Sequence, residues 1–152
     1  MNSLNALAVE GKINENASIR DQHSTIINAP IEKVWAILSD LENWPNWNSD
    51  VKKIELSGKV EEGAKFQWTI GRLKANSQIQ HLHAPNTLTW TGKTNWVKRI
   101  YVWSLEPDDK KTIVTVSTSL QGFLTVLVEN HQRVYNELLN WLETLKNKAE
   151  GE

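Results

Sequence analysis

Between residues 51 and 120 apolar and polar side chains alternate with a period of two, and on either side of that stretch the spacing changes to three and four. Breaks at Ser57-Gly58, Gly71, Ala84-Pro85-Asn86, Gly92 and Pro107-Asp108-Asp109 divide the alternating stretch into a meander. Its strands are predicted over 51–56, 65–70, 73–83, 87–91, 98–106 and 112–120. Residues 107–111, charged and set between runs rich in β-branched and aromatic side chains, form the clearest hairpin connection. Upstream, residues 18–28 carry Ile19, Thr25, Ile26 and Ile27 and read as a further strand, which stops at Ala29-Pro30. Proline has no amide hydrogen for a ladder, but its φ is already helical, so it opens a helix over 31–39. There Ile31, Val34, Trp35 and Leu38 form one stripe, with Glu32 and Lys33 outside. Ser39 or Asp40 caps a short helical turn over 41–44, which Pro45 interrupts. Helical spacing returns over 124–148, where Leu127, His131, Val134, Leu138, Trp141 and Leu145 share a stripe widened by Val128, Tyr135 and Leu142. Such a helix would span roughly 36 Å, with Lys146 and Lys148 complementing the dipole at its C-terminal end. Residues 1–17 show no sustained period and read as a partly ordered arm.

Composition narrows the function classes. A chain of 152 residues without a Pro/Gly/Ser-rich linker implies one core, here an arm over 1–17 and a domain over 18–148. With 17 Lys plus Arg against 18 Asp plus Glu, the net charge of -1 supplies no field toward phosphate backbones or anionic membranes, so nucleic acid is not an expected partner. No segment approaches the roughly 20 apolar residues of a membrane span, so stable membrane insertion is not expected either. The N-terminus lacks the basic start and apolar stretch of a signal peptide. Cysteine is absent, which removes disulfides, thiolate nucleophiles and thiolate metal sites and suits the cytoplasm. A monomer or weak dimer is expected. Eight tryptophans stand against two tyrosines and two phenylalanines, so the placement of these large rings, each with one donor, is the main clue to the interior.

The element order, strand, short helix pair, six strands and a long terminal helix, is uncommon. Two strings carry a family signature: Ile27-Asn28-Ala29-Pro30-Ile31-Glu32-Lys33-Val34-Trp35 and Asp40-Leu41-Glu42-Asn43-Trp44-Pro45-Asn46-Trp47. With Leu88-Thr89-Trp90-Thr91-Gly92 and Trp103-Ser104-Leu105-Glu106-Pro107, the chain resembles the polyketide cyclase/START-like (SRPBCC) superfamily over about residues 18–148. The resemblance implies an α+β helix-grip fold: a seven-stranded curved antiparallel sheet wrapped around the terminal helix, two short helices after the first strand, and a tunnel or cup between. It also implies ligands of the kind relatives bind, such as lipids, hormones, flavonoids and polyketide intermediates. It carries no universal catalytic motif, and one scaffold hosts many activities.

Alternation assigns faces. Phe66, Trp68 and Ile70 share one; Ala75, Ser77, Ile79 and His81 another; Leu88, Trp90 and Gly92 a third; Tyr101, Trp103 and Leu105 a fourth. These are expected to face inward, with Lys65, Gln67, Thr69, Lys74, Asn76, Gln78, Gln80, Thr89 and Thr91 facing solvent. In 112–120 the faces of Val114 and Val116 and of Ile113 and Thr115 compete. Leu127, His131 and Val134 would supply the opposite wall, Trp35 of the short helix is a further ligand-binding candidate, and the resemblance implies that the 40–47 corner, with Trp47, forms the cavity mouth. Aromatic stripes at strand spacing commonly just pack, but a sheet wrapped around one helix encloses more than short side chains fill, and indoles can rim a pocket with free N–H groups.

Chemical candidates are few. His81 and His83 share a strand face, as two metal ligands would, but a third is missing, and they read as solvated or structural histidines. His131 is either a core histidine satisfied by a neighbouring carbonyl or hydroxyl or, facing a cavity, an acid/base or carbonyl-binding group. His23 reads as surface, as do Lys98-Arg99, which could otherwise meet an acidic ligand group. No nucleophile elbow or phosphate loop is present, so no cofactor and no catalytic residue is assigned. Three functions compete. One is binding of a small apolar or amphipathic ligand. The second is an enzyme of the cyclase, dehydratase or hydrolase kind, with His131 or His81 as acid/base and Tyr101 orienting substrate. The third is an interaction module resembling chaperone-ATPase activators, which would need a filled interior and an exposed aromatic patch at the 44–47 corner.

Overall fold

The computed structural model describes residues 3–94, 96–122, 125 and 129–151. Along the chain run α1 (Ser3–Val9), β1 (Ile19–Ile27), α2 (Ile31–Ser39), a 3-10 turn (Leu41–Asn46), β2 (Val51–Leu56), β3 (Lys65–Ile70), β4 (Leu73–His83), β5 (Thr87–Thr94), β6 (Val97–Asp108), β7 (Lys111–Gln121) and α3 (His131–Gly151). The strands form one sheet in the order β1-β7-β6-β5-β4-β3-β2, antiparallel throughout. β1 and β2, neighbours in sequence, thus lie at opposite edges, and α2 with the 3-10 turn carries the chain from one edge to the other. With α3 this makes the helix-grip arrangement that the resemblance implied. Among the described residues no helix is long and apolar enough to cross a membrane.

Period-two alternation translates directly into the core. Leu88 and Trp90 of β5, Tyr101, Trp103 and Leu105 of β6 and Val114 and Val116 of β7 all point at α2, the 3-10 turn and α3, which settles the face of β7. Val34, Leu38, Leu41, Trp44, Leu138, Trp141 and Leu145 meet them from the helical side. Hairpin β6–β7 closes on a two-residue turn after Asp108↔Lys111, with Asp109 at φ 58°, a conformation aspartate tolerates.

Three sequence expectations are corrected. The arm contains a helix: Leu4 and Ala8 of α1 pack on Ile100 and Val102 on the outer face of the sheet, and the Thr89 hydroxyl donates to the Ala8 carbonyl at 2.7 Å. Thr89 and Thr91, expected in solvent, are therefore buried. The C-terminal helix begins at His131 rather than near residue 124, because Asn130 caps it: its Oδ1 accepts from the Arg133 amide at 2.8 Å. Leu127 and Val128, assigned to that helix by spacing, lie outside the described residues.

The β1 edge is clamped by the end of α3. Lys146 Nζ donates to the Ile26 carbonyl at 2.6 Å, Glu150 accepts from the Asn28 amide at 2.7 Å, and the two side chains pair at 2.9 Å. The Asn28 amide is the leading cause that holds the Glu150 carboxyl below its ordinary range, with Lys146 adding to it.

Candidate functional site

The interior is organised around one indole. Trp44, delivered by the 3-10 turn and tied by its Nε1 to the Leu38 carbonyl at 2.8 Å, sits 5.6–5.9 Å from the rings of Trp68, Trp90, Trp103 and Trp141, edge to face with each. Trp68 and Trp90 contact each other and Phe66 in the same way, and Trp141 stacks on Tyr101 at 5.2 Å. Aromatic quadrupoles favour this edge-on-face geometry. Trp44, Trp90, Trp103 and Trp141 are 0% exposed and Trp68 1%, so no water-sized void touches them. The rings expected to rim a cup fill it instead, because indoles are wide enough to reach one another across the sheet and the helix. The Nε1 groups of Trp47, Trp68, Trp90, Trp103 and Trp141 are buried with no hydrogen-bond partner among the described residues, as is Asn140 Nδ2.

Beside this cage lies a buried ionic cluster. The Tyr101 hydroxyl donates to Glu137 Oε2 at 2.9 Å. Arg99, 5% exposed, donates through Nε and Nη2 to the Thr94 hydroxyl at 3.0 and 2.9 Å and pairs with Glu129, also 5% exposed. Glu129 in turn pairs with Arg133 at 2.8 Å. Burial is the main reason the Glu137 carboxyl lies above its ordinary pKa; Arg99 and the Tyr101 bond oppose the rise without cancelling it. The residue keeps some exposed surface, but its carboxyl end is the enclosed part, held against a tyrosine that is 1% exposed. Tyr101 is raised by burial first and then by Glu137. For Arg99 burial works downward, and the electrostatic attraction of Tyr101, Glu137 and Glu129 outweighs it, so its pKa is raised.

The cluster opens on a pocket of about 330 Å³ lined by Arg133, Asn136, Glu137 and Asn140 of α3, by Asp50 just ahead of β2 and by Ile70 and Gly71 at the β3–β4 turn. The four helical residues recur at three and four, so they form a polar stripe beside the apolar stripe Val134, Leu138, Trp141, Leu145. Glu137 links this pocket to Tyr101, and Tyr101 links it to the indole cage.

Of the residues proposed from sequence, Phe66, Trp68, Ile79, Trp90, Tyr101 and Trp103 come together in the main core, with Trp35 and Trp47 half-buried against it. Val134 is buried elsewhere, with Ile19, Val97 and Leu120. His81 lies on the rim, paired with Glu62 at 3.2 Å and stacked on His83 at 6.5 Å. His131, the first residue of the helix, is exposed, which corrects its place on the buried stripe. Trp44 is fully buried and Trp47 half-buried, so the 44–47 corner presents no open aromatic patch. Sequence reasoning missed Glu129, Arg133, Glu137 and Asn140, and its reading of Arg99 as surface is corrected by that residue's burial. For Arg99 the signal was available: it shares strand parity with Tyr101 and Trp103, and parity outranks charge when the partner is a buried carboxylate.

A model of the family described as polyketide cyclase/dehydrase and lipid transport matches residues 19–146. No curated protein matches the sequence. Solved structures show the same fold. A START superfamily protein from Mycobacterium smegmatis superposes with a TM-score of 0.75 at 15% identity, over 87% of this chain and 97% of that one. The Zhui aromatase/cyclase from a Streptomyces species gives 0.73 at 14% identity, over 86% and 93%. A hypothetical protein from Helicobacter pylori gives 0.74 at 13%, over 86% of each.

Proposed function

The chain belongs to the polyketide cyclase/dehydrase and lipid transport family, and from that premise we propose that it binds a small amphipathic molecule, polar end in the pocket beside α3 and apolar part against the indole cage. The observation that carries this reading is a set of buried donors without acceptors: Asn140 Nδ2 at the pocket and five indole N–H groups behind it. Folded proteins pair the great majority of such groups, and each one left alone costs about 1–3 kcal/mol. A ligand oxygen supplies what they lack. The pocket's volume of about 330 Å³ holds a polar head group, and the rest of the ligand reaches the indoles by shifting rings that now close on each other. Native mass spectrometry and tryptophan fluorescence titration with lipids, flavonoids and polyketide-like aromatics test it. A retained small molecule, or saturable quenching that Asn140→Ala weakens, is the expected result. No retained mass and no saturable response across the panel would overturn it.

A second reading, turnover of the bound molecule in the cyclase/dehydratase manner, is favoured by the Tyr101–Glu137 bond. A phenol bonded to a carboxyl with a raised pKa is an acid/base pair of the kind the histidines do not provide. Tyr101→Phe would then abolish turnover of a bound β-polyketone while leaving its affinity nearly unchanged; equal loss of both would argue for binding alone.

A further inference from the structure

A concavity larger than the pocket just described lies away from it. On the outer face of the sheet, beside α1, an open groove of about 560 Å³ crosses β3 to β6. Strand register explains its lining. Gln67, Asn76, Lys93 and Lys98 face each other in sequence across four strands, and Lys65 and Gln78 form the neighbouring row. Lys93 and Lys98 are direct cross-strand partners on one face, an arrangement that like charges disfavour. Lys65, Lys93 and Lys98 are all exposed, and none makes an ion pair among the described residues. The acid that lines the groove, Glu55, is already paired with Lys53 at 3.0 Å. The amides are oriented as well: Asn76 Oδ1 accepts from Gln67 Nε2 at 3.0 Å, which leaves the Asn76 NH2 as a donor.

We propose that this groove is a second ligand site, for a phosphate-type polyanion held by Lys93, Lys98 and Lys65 with the Asn76 amide. On a chain of net charge -1 three unneutralised ammonium groups around one concavity set the sign of its occupant. Leu4 of α1 gives the groove an apolar wall, so an organic group attached to the anion has a surface to lie against. The site is independent of the pocket beside α3, because α1 and α3 lie on opposite faces of the sheet.

Titration of the isotopically labelled protein with inorganic diphosphate and with ADP, followed by amide chemical shifts at constant ionic strength, tests the assignment. Saturable shifts confined to α1 and β3 to β6 are expected, with affinity falling about tenfold in Lys93→Gln and in Lys98→Gln and unchanged in Lys148→Gln. Equal affinity for the two titrants identifies the free polyanion, and tighter binding of ADP identifies an ester whose organic part uses the Leu4 wall. Linear, unsaturated shifts, or equal losses in the Lys148→Gln control, mean general screening and overturn the proposal.

Discussion

The hydroxyl of Tyr101, in the middle of β6, donates to Glu137 on α3 at 2.9 Å, so the sheet and the grip helix are joined by a hydrogen bond at the inner wall of the pocket. The buried charges gather around that bond: Arg99 on the same strand face balances Glu137 and Glu129, and the indole cage begins where Tyr101 stacks on Trp141.

Glu137 makes stability depend on pH in a direction opposite to a salt-bridged carboxylate. Its folded pKa lies above the ordinary 4.5, mainly through burial, so as pH rises past that value the unfolded chain releases a proton that the folded chain keeps. Stability falls through this window and the loss is complete above the folded pKa. Glu137→Gln removes the titration, so thermal unfolding from about pH 4 to about pH 8 should show the variant gaining on the parent as pH rises. A difference that stays constant across that range would contradict the burial argument.

Trp44→Ala deletes the ring that five other indoles contact and the bond to the Leu38 carbonyl. Urea unfolding should show a loss of about 3–5 kcal/mol, with Trp44→Phe losing less.

Arg99 and Arg133 both hold Glu129, but their surroundings differ: the Arg99 side chain is 6% exposed and that of Arg133 46%. Arg99→Met leaves a buried carboxylate short of its main partner and should cost about 3 kcal/mol, partly recovered by adding Glu129→Leu. Arg133→Ala should cost under about 1 kcal/mol. Equal losses in chemical denaturation would refute this ranking.

Leu4→Ala tests the helix on the outer face. Leu4 is 7% exposed against Ile100 and Val102, so the substitution should cost about 2 kcal/mol and raise amide exchange in α1 ahead of the rest. Unchanged stability would show α1 to be detached.

The meander was legible almost residue by residue. Strands 51–56, 65–70 and 73–83 and the helix 31–39 have the bounds the pattern predicts, because alternation and the Pro30 boundary are local signals. The start of α3 was not: an apolar stripe extended upstream to Leu127, while the Asn130 cap that ends it depends on a single side chain. Residues 1–17 lacked a period because seven helical residues need only Leu4 and Ala8 to dock. The candidate pocket was hardest to see. Arg133, Asn136, Glu137 and Asn140 carry no signal beyond polarity at helical spacing, and the partner that makes Glu137 part of a site, Tyr101, comes from a distant strand.

Crowding six indoles into one contact network has an optical consequence. Rings 4.9–6.3 Å apart at fixed angles couple their electronic transitions, so the circular dichroism of this protein carries an exciton contribution that its helix and strand content does not predict. Excitation migrates within the cage, while Trp96, 69% exposed, emits as a separate red-shifted population open to collisional quenchers. A guest that parts the cage therefore announces itself as a lost couplet, with the iodide-quenchable fraction of the emission left as it was.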